Sequence, residues 1–450
     1  MRASFVISKG MRIANTLPAP VSAAWRASLA EIFPNSWQIL TGGQGGIRTH
    51  GEREPTPVFK TGALNHSATC PLDAARIADT RPWVQATRRK GMTAHAPSCN
   101  TSSMWSYRIR AAFALACLPL AAGGAVATIA AAQDDEGFET FVAQLRTEAV
   151  AQGVSAATIE TVMPTLYYSQ RVVSLDRAQP GGPPNAPIPK FAPYAAQHVD
   201  NARISRGREK YQSLRPVLEK IESETGVPEA ILVAIWGHET NYGAYTGDFD
   251  LANSLATLAY EGRRRSLFTT EFIATLKMID KGFPREKLKG SWAGATGYPQ
   301  FLPSTYLRYG RDGDGDGRSD IWANEADALA SIANYFAGAG WRSGQPWGVK
   351  AVVPDTLDRS IFESRLVPGR CPRVFGRHSQ WKTLTEWRAL GVTPVEYKGV
   401  RETDLATLLE PDGPGAVAYL LTGNYRVILE YNCSNFYALS VGLLADAVEK

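Results

Sequence analysis

The run Ile231-Leu232-Val233-Ala234-Ile235-Trp236 contains no polar residue, and Glu239 follows three residues later. A helix written this way has no face for solvent and must be buried inside a larger fold. Its punctuation agrees. Pro228 fits the first helical position, where a missing N–H costs nothing, and Gly243 fits the stop. Glutamate is almost never fully buried without a reason. A carboxylate held at the end of such a helix should be desolvated, which raises its pKa and suits it to donate a proton. The alternative is a glutamate that reaches water as the helix emerges.

Length alone suggests two or three domains for 450 residues, but the first third does not read as folded protein. Residues 1–103 show neither a helical nor a strand period, and 42–71 resembles the translation of a tRNA-gene region. This part reads as a spurious or disordered extension, with Met104 as the expected start. Residues 104–132 then read as an export signal. Arg108 and Arg110 precede an apolar stretch over 111–132, and Ala130 and Ala132 fit the small-residue positions before a cut at Gln133. A stretch of about 22 residues could also span a bilayer, but its Gly and Ala content and its Ala-x-Ala end favour cleavage. Cys117 follows a poor lipid-attachment box, so lipid anchoring is the weaker expectation.

Removing that segment changes the charge argument. The whole chain carries +5, yet residues 1–132 hold 14 Lys and Arg against 5 Asp and Glu. The remainder holds 34 against 38, or −4, so the basic balance gives no support for nucleic-acid binding. Of the five cysteines only Cys371 and Cys433 remain. In an oxidising compartment such a pair is expected to bridge.

The remaining chain reads as one mainly helical domain of about 315 residues. Helical spacing covers 138–165, 199–226, the Glu239 segment, 251–262, 266–282, 325–338 and about 436–449. Residues 179–194 read as an extended Pro/Gly-rich loop, and strands are expected at 349–354 and 425–431.

Six motifs occur in order from about Phe138 to the C-terminus: HETNYG (238–243), LATLAYEGRRR (255–265), GSWAGATGYPQFLPSTY (290–306), DGDGDGRSDIW (312–322), SIANYFAGAGW (331–341) and YNCSNFYA (431–438). Together they resemble the membrane-bound lytic murein transglycosylase B family. The resemblance implies a mainly α fold, a lysozyme-like catalytic core with additional helices and a small β element. It implies cleavage of peptidoglycan between N-acetylmuramic acid and N-acetylglucosamine, leaving 1,6-anhydromuramic ends and needing no cofactor for catalysis. Glu239 is implied as acid and then base, a double duty that needs a pKa near the working pH.

Other roles carry over position by position. Ser291 and Asn432 match polar residues near the reacting sugar, and Gln300 matches a substrate-contacting glutamine. Tyr194, Tyr335, Tyr431 and Tyr437 match aromatic groove residues, whose faces pack on sugar rings. Arg263 and Arg264 match an arginine pair that could meet muramyl carboxylates or peptide stems. Leu267 stands where some members have tyrosine. Core packing for the tyrosines, and turns or caps for Ser291 and Asn432, are the plainer readings.

The acidic loop follows the spacing of a calcium loop. Asp312, Asp314 and Asp316 take positions 1, 3 and 5, Gly317 the sharp turn, Arg318 position 7 and Asp320 position 9. Position 12 is Ala323, so Glu325 or Asp327 must complete the set from the next helix. A structural Ca²⁺ is expected here; an acidic turn without metal is the alternative.

A second carboxylate for hydrolysis is not evident, since Asp248 and Asp250 fall in a loop. A hydrolytic muramidase and a non-catalytic peptidoglycan-binding scaffold remain as alternatives; a calcium sensor is weaker, because one such loop lacks a partner. The expected partners are peptidoglycan glycan strands and cell-wall synthesis or division proteins, for a monomer in the periplasm.

Overall fold

A computed structural model of the protein describes residues 120–179, 187–363 and 371–450. Residues 1–103, the first part of the export signal (104–119) and part of the 179–194 stretch (180–186) lie outside the described residues. No helix among the described residues is long and apolar enough to cross a membrane.

The chain is mainly helical. Helix α1 (Leu120–Ala151), which takes in the expected cut before Gln133, leads into α2 (Ala156–Val162) and α3 (Gln170–Arg177). Then come α4 (Phe191–His198), α5 (Asn201–Ser213), α6 (Arg215–Thr225) and α7 (Glu229–Thr240). A two-residue strand β1 (Phe249–Asp250) precedes α8 (Leu251–Glu261) and α9 (Arg265–Asp280), and pairs antiparallel with β2 (Lys289–Gly290). Next are α10 (Pro303–Tyr309) and α11 (Glu325–Gly338). Side-chain caps fix several starts by satisfying otherwise orphaned N–H groups. Ser155, Asp200 and Asp250 accept from the third residue of α2, α5 and α8, and Asn324 accepts from Ala326 and Asp327 in α11.

Helix α7 is the axle of this arrangement. Every residue from Glu229 to His238 is buried, and α5, α6 and α11 pack around it. The all-apolar run therefore has the surroundings its composition demands.

After α11 the chain builds a small β element: β3 (Gly348–Val352), α12 (Pro372–Phe375), β4 (Lys382–Thr383), α13 (Leu384–Ala389), β5 (Thr393–Pro394), β6 (Leu405–Leu409) and β7 (Ala418–Leu421). The strands form an antiparallel sheet in the order β4-β6-β7-β3-β5, over its own core of Val349, Leu384, Trp387, Val392, Leu408 and Leu420. The chain then returns to the helical core with α14 (Gly423–Tyr431) and α15 (Asn435–Val448), and α15 packs on α7, α5 and α4.

Five sequence expectations need correction. The 138–165 stretch is broken after Ala151, where Gly153 takes φ 79°, and restarts at Ala156 under the Ser155 cap. The 199–226 stretch is two helices, because Pro216 has no N–H to continue α5 and sits instead in the first turn of α6. Pro228 is the cap of α7 rather than its first residue, and the helix stops at Asn241, in the left-handed region at φ 51°, two residues before Gly243. Residues 425–431 are helical, not a strand. Thr422 caps the helix, and Tyr425, Val427, Ile428, Leu429 and Tyr431 are buried by tertiary packing that overrides their strand preference. The extended loop ends at Lys190, so Tyr194 stands on a helix.

Candidate active site

Glu239 lies in the last turn of α7, half-buried, where the helix leaves the core. The Tyr437 hydroxyl on α15 donates to Glu239 Oε1 at 2.8 Å. Its position is fixed locally. Ser434 caps α15 by accepting from the Tyr437 N–H at 3.3 Å, and the preceding residue, Cys433, is disulfide-bonded to Cys371 across 62 residues. Burial, and then the neighbouring Glu239 charge, push the Tyr437 phenol well above the usual tyrosine range. It stays a hydrogen-bond donor at every physiological pH. Tyr431 is raised for the same two reasons, which places it in the field of the same carboxylate.

An aromatic wall continues from there. The Tyr431 hydroxyl donates to the Pro299 carbonyl, and its ring meets that of Tyr335 edge-on with centroids 5.0 Å apart. The Tyr335 hydroxyl donates to the Glu430 carbonyl at 2.8 Å. On the other side, Tyr194 stacks on His198 with centroids 3.9 Å apart and packs against Phe436.

The glycine-rich segment after β2 is tied to the loop that follows Glu239. Gln300 Nε2 donates to the Thr246 carbonyl at 3.1 Å and to the Gly297 carbonyl at 3.0 Å, from a backbone at φ 49°. The Thr240 hydroxyl donates to the Tyr298 carbonyl at 3.2 Å. Gly247 makes the approach possible: a Cβ there would lie 2.2 Å from the Gly290 carbonyl oxygen, which no side chain tolerates. Ser291 is buried, and its hydroxyl accepts from the Ala295 N–H at 3.0 Å. Asn432 ends α14, and its Oδ1 is buried without a hydrogen-bond partner.

Other carboxylates have structural partners. Buried Asp176 pairs with Arg263 at 2.6 Å and Arg264 at 2.9 Å. Buried Glu271 accepts from the Ser304 N–H and hydroxyl at the start of α10. Buried Glu229 faces Arg215, and Asp404 pairs with Arg401. Asp250 caps α8 and pairs with Arg285, while Asp248 is exposed. The arginine pair expected at the substrate is thus engaged with a buried aspartate. Leu267 packs against the core.

In the acidic loop, Asp312, Asp314 and Asp327 bring carboxylate oxygens within 4.8 Å of one another. Asp316 is not in this group; its carboxylate accepts from the Arg318 N–H at 2.8 Å. Buried Asp327 accepts from the Gly313 N–H at 2.7 Å and the Asp320 N–H at 2.6 Å. Burial raises its pKa, these N–H groups lower it, and Asp314 and Asp312 raise it again. Three convergent carboxylates with like-charge strain are an oxygen donor set that fits a hard cation.

Sequence reasoning passed over His198 and His238. Both are buried, their rings stack 5.5 Å apart, and His238 also meets the Tyr437 ring at 5.3 Å. Burial lowers both pKa values, so this floor beside Glu239 is neutral. The available signal was His238 itself, on a helix with no solvent face.

The profile of the transglycosylase SLT domain matches residues 137–446. Membrane-bound lytic murein transglycosylase B of Escherichia coli is 30% identical over 269 residues, 59% of this chain and 69% of that protein. SltB3 from Pseudomonas aeruginosa, solved in complex with NAG-anhNAM-pentapeptide, is 36% identical with a TM-score of 0.62, covering 69% of this chain and 79% of that one. The Escherichia coli lytic transglycosylase Slt35 in complex with calcium is 27% identical with a TM-score of 0.57, covering 69% and 92%. The chain belongs to the transglycosylase SLT domain family, and it is an enzyme of the lytic transglycosylase class.

Proposed function

We propose that the protein cleaves the β-1,4 bond between N-acetylmuramic acid and N-acetylglucosamine in peptidoglycan, with Glu239 as acid and then base. The observation that carries this reading is the placement of Glu239: a half-buried carboxylate at the end of a buried helix, held by the Tyr437 hydroxyl. Protonated Glu239 donates to the glycosidic oxygen, and the C1–O bond breaks as positive charge develops at C1. The carboxylate so formed takes the proton of the muramic C6 hydroxyl, whose oxygen bonds to C1 and closes the 1,6-anhydro ring. Protons balance and no water is consumed. Hydrolysis would need a second carboxylate for water, and the buried acids Asp176, Glu229, Glu271, Asp327 and Asp404 are each engaged elsewhere. The anhydro sugar bound to SltB3 supports the same product.

The buried, unpartnered Asn432 Oδ1 suits an amide N–H donor, such as the N-acetyl group of the substrate. The partly exposed Tyr194 and Tyr335 form walls for sugar rings, whereas Tyr431 is buried in the core against Tyr335 and supports that wall rather than touching sugar; Ser291 and Gln300 hold the glycine-rich segment that completes the groove. Asp312, Asp314 and Asp327 are proposed to hold Ca²⁺, which would tie the loop to the start of α11 and supply no chemistry. A periplasmic site of action is the reading we infer, supported by the export-signal pattern over 104–132 and by the murein in the relative's name.

Glu239→Gln should still bind purified sacculi while losing about three orders of magnitude in turnover. Turnover within tenfold of wild type would remove Glu239 from the chemistry. Loss of binding and turnover together would favour a structural role.

A further inference from the structure

A cavity of about 400 Å³ lies between the helical core and the β element, lined by Arg342, Trp381, Leu405, Gly423, Arg426 and Glu430 among others. It shares no residue with the groove around Glu239. Arg426, Val427 and Glu430 reach it from one face of α14, at helical spacing from Gly423.

The chemistry of its lining is specific. The Arg426 guanidinium lies over the Phe375 ring at 4.4 Å and over the Trp381 ring at 5.9 Å, so its plane is set by aromatic contacts. The Arg342 backbone is held by Asn424, whose side chain accepts from its N–H and donates to its carbonyl, both at 2.8 Å, but neither the Arg342 nor the Arg426 guanidinium has a hydrogen-bond or ion-pair partner among the described residues. Two guanidiniums presenting donor forks to one cavity match a carboxylate. Gln345 is buried, and its Oε1 has no hydrogen-bond partner. That oxygen would lie 3.4 Å from a Cβ on Gly423, with Arg342 Cζ at 3.9 Å, so acceptor and cation face the same gap left by the glycine. An unsatisfied buried acceptor calls for an N–H donor beside the anion. Trp381, Leu405 and Val427 add apolar surface, and Glu430 carries the opposite charge, which disfavours a bare polyanion.

An anion with an amide N–H next to it and an apolar substituent is the end of a peptide. We propose that this cavity is a second binding site, which takes the free carboxylate end of a short peptide. Arg342 and Arg426 hold the carboxylate, Gln345 Oε1 accepts the terminal amide N–H, and the terminal side chain packs on Trp381 and Leu405. The volume is within the ordinary range for small-ligand sites, roughly 300–1,000 Å³. The inference does not depend on the role of Glu239.

The test is calorimetric titration of the full-length protein with trialanine, trialanine amide and inorganic phosphate. Trialanine should bind about tenfold or more tightly than its amide, because amidation removes the charge that both arginines read. Arg342→Gln, at an exposed position, should weaken trialanine by a similar factor, and Gly423→Ala, which fills the gap while favouring the helix, should weaken it several-fold. Glu239→Gln should bind it as wild type does. Equal affinity for acid and amide, unchanged affinity in Arg342→Gln, or phosphate binding as tightly as trialanine would each overturn the proposal, as would no measurable heat with trialanine.

Discussion

Tyr437 on the last helix donates its hydroxyl to Glu239 Oε1 at 2.8 Å, joining residues 198 positions apart. Glu239 ends the buried helix α7 and Tyr437 begins α15, which packs along it. The bond orients the carboxylate. Tyr437→Phe should lower kcat by about tenfold to a hundredfold, the range for a hydrogen bond to a charged group, with KM nearly unchanged. Initial rates of muropeptide release from sacculi measure this. A rate within twofold of wild type would mean that Glu239 is positioned by something else.

Arg263 and Arg264 share the buried carboxylate of Asp176. Replacing both with alanine should destabilise the protein by about 3 kcal/mol, because an uncompensated charge is left buried. Arg263→Ala alone, at a half-exposed site with Arg264 still present, should cost about 1 kcal/mol or less. Denaturant unfolding separates these outcomes. An unchanged midpoint with weakened sacculus binding would return the pair to the substrate.

Asp312, Asp314 and Asp327 converge without a basic partner in the group. Millimolar Ca²⁺ should raise Tm by a few degrees through preferential binding to the folded state. Asp312→Asn with Asp314→Asn should abolish the shift and leave turnover at saturating substrate close to wild type. No calorimetric heat and no Tm shift would leave this loop as an acidic turn.

His378 is buried between the Thr407 hydroxyl and Asn435 Oδ1, and burial lowers its pKa from 6.5 to about 4. The folded state therefore resists protonation where the unfolded state accepts it. Stability contributed this way is fully present above pH 6.5 and falls as pH drops towards 4, by up to about 3 kcal/mol. His198 and His238 act in the same direction. His378→Gln should give a shallower decline over that window in Tm against pH. An equally steep decline would assign the pH dependence to other groups.

The part of the fold around Glu239 was legible because its signals are local. An all-apolar helix, its terminal glutamate and the motif around Tyr437 are each written in consecutive residues, and α8, α9, α11 and α15 follow from periodicity and caps. What was not legible depends on tertiary partners. The β-branched and aromatic 425–431 segment becomes a helix because the core buries it. Arg263 and Arg264 look like anion binders until Asp176, almost ninety residues earlier, is seen between them. His198 and His238 lie forty positions apart and meet only through the packing of α4 and α7 beside α15. The peptide-like features of the α14 cavity draw on four separate segments and leave no motif in the sequence.

The central claim is that one carboxylate, Glu239, serves as acid and then base without water. Mass spectrometry of the muropeptides released from purified sacculi by the wild-type protein tests it most directly. The account predicts products that end in 1,6-anhydromuramic acid, each one water lighter than the hydrolytic product, and none from Glu239→Gln. Reducing muramic ends from the wild-type protein would contradict it, since they would require a group that activates water.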